Sequence, residues 1–165
     1  MRYLIDGHNL VFAMKNGGDQ LAGFEVSHTA QLLCKVLEEY MHHKRSQAVL
    51  YFDGCGPHDR RFYHNFTHVN VFWAGDDYEA DDFIIGDVEA DTAPKSLVVV
   101  STDRRVKEAA KRRKCHMADS FDFWCDMVEY VNKPKRKKQE PQAKTNGLSE
   151  SEVAGWMKTF GFKDD

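Results

Sequence analysis

Short uninterrupted apolar runs alternate with stretches of helical spacing through the first 132 residues of the chain. Tyr3-Leu4-Ile5, Ala48 to Phe52, Val69 to Trp73 and Leu97 to Val100 read as strands. Behind Ser27, an expected N-cap, Ala30, Leu33, Cys34, Leu37 and Met41 recur at three- and four-residue spacings, one face of an amphipathic helix. Further helices are expected at 79–90, from Arg104 to Lys114 and from Phe121 to Val131, with a short strand at Cys115-His116-Met117. Gly17, Gly18 and Gly23 mark 13–25 as a loop. Strands written as continuous apolar runs and separated by helices predict an α/β fold, a mainly parallel sheet with helices on both faces. Right-handed crossovers then gather the strand C-termini along one edge.

The pattern breaks after Val131. Lys133-Pro134-Lys135-Arg136-Lys137-Lys138 cannot pack a core, so 133–147 is expected to be a basic flexible linker. Ser149 and Glu152 have capping-box spacing, and Val153, Trp156, Met157 and Phe160 make 148–165 a short helical tail, apolar on one side. Charge follows the same division: 1–132 carries 15 Lys+Arg against 21 Asp+Glu, whereas 133–165 carries 8 against 5. The formal net charge of −3 therefore averages an acidic body and a basic tail, and says little about partners. No apolar run approaches a membrane span, and Asp6 comes too early for a signal peptide, so a cytoplasmic protein is expected. Four scattered cysteines without a C-x-x-C pair read as reduced thiols, and the eight histidines show no zinc-site spacing.

Candidate chemistry sits at the strand ends. The first strand ends at Asp6, the second at Asp53, and the Leu97–Val100 strand runs through Ser101-Thr102 to Asp103. Glu79, Asp81 and Asp82 open a helix near the same edge. Alone, each such Asp is equally a turn residue or a helix cap. Together they form a repulsive cluster that a hard divalent cation would neutralise, and oxygen ligands without thiolate select Mg²⁺ or Mn²⁺. One or two such ions suit phosphodiester hydrolysis. A phosphatase of the haloacid-dehalogenase type would need a second Asp two residues after Asp6; position 8 is His.

Four segments in order carry a resemblance: Ile5-Asp6-Gly7-His8-Asn9-Leu10, Phe52-Asp53-Gly54-Cys55-Gly56-Pro57, Ala80-Asp81-Asp82-Phe83-Ile84 and Val99-Val100-Ser101-Thr102-Asp103-Arg104. The chain resembles the YacP-like branch of the NYN domains, in the PIN and 5′-nuclease superfamily. Tyr78-Glu79-Ala80-Asp81-Asp82 is similar to the metal-binding segment of the 5′-nuclease domain of bacterial DNA polymerases. The resemblance implies a Rossmann-like, PIN-like nuclease domain over 1–132 and a metal-dependent ribonuclease activity. It implies that Asp6, Asp81, Asp82 and Asp103 are catalytic metal ligands, supported by Glu79 and Asp53. Asn9 would orient a water, a ligand or a phosphate, and His8 would touch RNA or fill the place of the family's usual aromatic. Arg105 stands where the 5′-nucleases carry a further acid, which leaves one ion or two open.

A polyanionic substrate needs cations around the acidic centre. Arg60 and Arg61, interleaved with Phe62, Tyr63 and Phe66, have the composition of a single-strand contact, and equally of a loop with aromatics tucked beneath it. Arg104, Arg105 and Lys107 follow Asp103, where they could reach flanking phosphates or form a solvated helix face. The resemblance, rather than the residues, makes the expected activity endonucleolytic cleavage of single-stranded RNA, mRNA in the first place, with the ribosome as a candidate partner. The alternative is a non-catalytic RNA- or ribosome-binding module that keeps the nuclease fold.

Overall fold

Tyr3, Leu4 and Ile5 are all buried, although successive side chains of a strand point to opposite faces, so the first strand must be covered on both sides. The computed structural model describes residues 1–16 and 26–132. Among them β1 (Arg2–Asp6), β2 (Gln47–Phe52), β3 (Val69–Trp73), β4 (Leu97–Val100) and β5 (His116–Ala118) form one sheet in the order β3-β2-β1-β4-β5. Every neighbouring pair is parallel. The helices are α1 (Gly7–Asn16), α2 (Val26–Lys44), α3 (Ala80–Ala90), α4 (Arg104–Arg113) and α5 (Ser120–Asn132). None of the described helices is long and apolar enough to cross a membrane.

Helices α1, α2 and α5 pack together, as do α3 and α4. Leu4, Leu97 and Val99 join Ala80, Ile84 and Val88 of α3 and Val106, Ala109 and Ala110 of α4 in one cluster. Tyr3 meets Phe123 of α5, which also meets Tyr40 of α2, with ring centroids 5.8 and 5.6 Å apart. The fold is therefore the expected α/β sheet, parallel throughout. The chain builds outward from β1 to β3, then returns to β4 on the other side of β1. The order reverses between β1 and β4, which is where open parallel sheets place their ligands.

One expectation is corrected. Residues 13–16, expected at the start of a loop, belong to α1, which runs from Gly7 to Asn16. Asp6 caps it: Asn9 N–H donates to Asp6 Oδ1 at 3.0 Å, satisfying a free first-turn donor. Leu10, Val11 and Met14 bury its inner face. Gly7 is there for space, since a Cβ would lie 2.7 Å from the Tyr51 carbonyl oxygen and 2.6 Å from the Phe52 ring. A second adjustment concerns Arg61–Asn65, expected as loop and found as a short 3₁₀ helix that buries Tyr63. The loop expected at 17–25, the linker and the tail helix lie outside the described residues.

Candidate active site at the C-terminal edge of the sheet

The ends of β1, β2 and β4 and the start of α3 surround an open cleft of about 630 Å³. Asp6, Asp53, Asp81 and Asp103 line it. Asp6 is almost fully buried, and its carboxylate is held from several sides. Besides the Asn9 N–H, it accepts from Asn9 Nδ2 and, at 3.2 Å, from Ser101 Oγ. Ser101 Oγ in turn accepts the Asp103 N–H at 2.9 Å, so one buried hydroxyl links the acids of two neighbouring strands. Asp103 caps α4, accepting from the Arg105 and Val106 N–H groups at 2.6 and 3.2 Å. Asp53 Oδ1 accepts the Ala80 N–H at 2.7 Å and so holds the start of α3.

The loops beyond β2 and β3 are tied to each other. Gly54 and Gly75 form an isolated antiparallel bridge, with Gly75 N–H donating to Gly54 O at 3.0 Å. Both have positive φ (76° and 84°), a conformation open to glycine at little cost. The bridge fixes Asp53 against the segment leading to Glu79.

Repulsion inside the cleft is written into Asp81. Burial, followed by the charges of Asp6, Asp103 and Asp53, pushes its carboxyl up to about 6, with Arg105 pulling the other way. Asp81 therefore feels the charges of the other three acids. Even so, among the described residues no three His, Cys, Asp or Glu side chains already stand close enough to hold an ion. The donor set fits a hard divalent cation in kind: it is all carboxylate oxygen, facing a common cleft, with negative charge that repels itself.

The other expected residues divide. Glu79 lines the cleft, but Asp82 does not. Both are engaged by Arg105, whose Nη1 lies 3.0 Å from Glu79 Oε2 and whose Nη2 lies 2.6 Å from Asp82 Oδ1. His8 lines the cleft with its ring edge-on to Phe52 and Nδ1 3.2 Å from Asp53 Oδ2. Asn9 is committed at both ends of its amide, because Oδ1 accepts from Thr102 Oγ1 at 2.7 Å while Nδ2 serves Asp6. Its amide thereby orients the Asp6 carboxylate, and the residue also lines the cleft.

Arg60, Arg61 and Arg104 are not part of the lining and have local partners: the Cys55 and Pro57 carbonyls, Asp59 at 2.6 Å and Glu108 at 3.4 Å. Phe62 and Phe66 pack edge-on to each other, and Tyr63 against Trp73, which favours the tucked-aromatic reading of that loop. Sequence reasoning gave no role to Ser101, Thr102, Asp76 or Tyr78. Ser101 and Thr102 adjoin Asp103, and only the pairing of β1 with β4 reveals what they do.

The YacP-like NYN domain profile matches residues 3–159. The chain belongs to the YacP-like NYN domain family. This family has a nuclease-type fold. Among solved structures this NYN domain is similar to Rae1 (YacP) from Bacillus subtilis, at 14% identity and a TM-score of 0.61, over 79% of this chain and 77% of that one. A mutant form of the same Bacillus subtilis protein gives 14% identity and a TM-score of 0.58, over 79% and 78%. At that identity the likeness speaks for the fold. No curated protein matches the chain.

Proposed function

We propose that this protein is a Mg²⁺- or Mn²⁺-dependent ribonuclease that hydrolyses phosphodiester bonds within single-stranded RNA, including mRNA. The observation that carries the reading is the gathering of Asp6, Asp53, Asp81 and Asp103 around one open cleft, where burial and, after it, the charges of the other three push Asp81 up to about 6. The preference for RNA comes from the family.

Asp6, Asp81 and Asp103 would hold the cation, with Asp53 and Glu79 in support. A bound divalent ion supplies an acidified water and positive charge for the phosphoryl transition state. The chain's own groups do the rest. Asn9 and Ser101 fix the Asp6 carboxylate in one orientation, and Ser101 sets the backbone at Asp103. Outer hydrogen bonds of this kind keep ligands aimed without being ligands themselves. Arg105, at the cleft wall, offers guanidinium N–H groups to a phosphate flanking the scissile bond. We read 133–147 as a basic linker to the tail at 148–165, able to approach RNA electrostatically and, with it, the ribosome.

The test is to incubate end-labelled single-stranded RNA and DNA with Mn²⁺, Mg²⁺ or chelator and size the products. Internal RNA cuts that chelator abolishes and Mn²⁺ restores are expected. Asp6→Asn and Asp103→Asn should lose them, and the second substitution keeps a cap-competent side chain on α4. Salt-dependent RNA or ribosome binding without any turnover would instead mark a binding module.

A further inference from the structure

Among the described residues the large apolar side chains left exposed are Met1, Phe12, Phe72, Tyr78, Met117 and Phe121. Of these, only Tyr78 lines the cleft, and it is 64% exposed. We propose that Tyr78 is the stacking platform for an unpaired nucleobase beside the scissile phosphate, and thereby selects single-stranded RNA over duplex. This rests on the reading of the cleft as a nuclease site and adds the residue that receives the base.

The ring is supported from behind and open in front. Tyr51, buried under the sheet, meets Phe72, which meets Phe83, which meets Tyr78, with centroids 5.5, 4.7 and 5.8 Å apart. The last contact is edge-to-face at 74°, and such a contact covers at most one face of Tyr78. The backbone around it is pinned on both sides. Gly75 N–H donates to Gly54 O at 3.0 Å, and Ala80 N–H to Asp53 Oδ1 at 2.7 Å. A ring held in place beforehand loses little freedom when a base arrives. Charge says which part of a nucleotide belongs there. The neighbours of Tyr78 in the cleft wall are Asp76, Glu79 and Asp81, which repel a phosphate but not a neutral base. Stacking on an aromatic ring accepts any base, because each has a π-face. In a duplex those faces are already covered by the bases above and below, so only an unpaired nucleotide can offer one.

The test uses the full-length protein with Mn²⁺ and an end-labelled single-stranded RNA whose cut has been mapped, then the same RNA carrying one abasic nucleotide at each position flanking the cut. Tyr78→Ala, checked for folding by circular dichroism, should raise KM by about 10-fold with kcat near the parent's, and Tyr78→Phe should match the parent. One abasic position should cost the parent a similar factor and cost Tyr78→Ala nothing further, because ring and base are the two halves of one contact. The parent's preference for this RNA over the same RNA annealed to its complement should narrow in Tyr78→Ala. An unchanged KM or a fall in kcat alone in Tyr78→Ala, no rescue in Tyr78→Phe, no abasic position that matters to the parent, additive losses, or an unchanged preference for the single strand would each overturn the proposal and leave the nuclease in place. Absence of cleavage by the parent would overturn it together with the nuclease reading beneath it.

Discussion

At the N-terminal edge of the sheet, Glu38 accepts from the His68 and Thr67 N–H groups at 2.8 and 3.1 Å and meets the His68 ring at 2.9 Å. Arg2 and Asp91 pair there at 2.6 Å. At the C-terminal edge, Asp6, Asp53, Asp81 and Asp103 face one cleft, with Arg105 the cation in its wall. The titration of two acids expresses the contrast. Burial would raise Glu38, but the His68 hydrogen bonds and charge outweigh it and hold the carboxyl below its ordinary value. Asp81 is driven the other way, to about 6. One edge is arranged so that ionisation stabilises the fold. The other gathers carboxylates that hold helix starts and also face a common cleft, where a ligand can use their remaining lone pairs.

The contrast breaks most visibly at Asn9. If the C-terminal edge is organised around an aimed Asp6, then Asn9→Ala should lower Mn²⁺ affinity or RNA cleavage by about 10–100-fold, the usual cost of losing an outer hydrogen-bonding partner. Isothermal titration and initial rates with labelled RNA measure it. Unchanged affinity and rate would mean that Ser101 alone suffices to hold the carboxylate.

What could be read in advance follows the same division. The acids at the ends of β1, β2 and β4 were legible because a parallel strand covered on both faces is written as an unbroken apolar run, and its end is plain. The bland readings of those acids also hold: Asp103 is an N-cap, and so is Asp6. A capping carboxylate and a site carboxylate can be one residue, because a carboxylate has more lone pairs than its cap uses. Helix α1 was hidden because Gly7 and the glycines after Asn16 resemble loop composition, whereas Gly7 answers a close approach to β2. The Arg105 contacts were not legible, since they join residues 23 and 26 positions apart through the packing of two helices. Sequence spacing grouped Asp82 with Asp81, but helix geometry turns the two to different sides.

Asp81 offers the next test. Its folded value, about 6, lies above the ordinary 3.8, so the metal-free folded protein binds an extra proton between those values. That contribution favours folding below about pH 4 and is lost as pH rises through about 6. Asp81→Asn removes the titration. In chelator at pH 8 it should therefore melt above the parent, by about 1–2 kcal/mol once solvent screening is allowed for, and the gap should close toward pH 4. With saturating Mn²⁺ the order should reverse, because only the parent gains from the ion. In the parent, cleavage should fall as pH drops below about 6, when a proton competes for the Asp81 carboxylate. A variant no more stable than the parent at pH 8 would show that the cleft carboxylates are too well solvated to repel.

The smallest effect belongs to the opposite edge. Arg2→Ala removes the pair with Asp91, whose side chains are 49% and 12% exposed. A half-exposed ion pair contributes up to about 1 kcal/mol, so denaturant unfolding should move slightly and RNA cleavage not at all. The pH dependence of cleavage should also be that of the parent, since Arg2 lies at the far end of β1 from Asp6. A several-fold change in rate with unchanged stability would mean that charge at one end of β1 is felt at the other. The two edges would then have to be treated as one electrostatic unit, with the pairs at the N-terminal edge helping to set the field in the cleft.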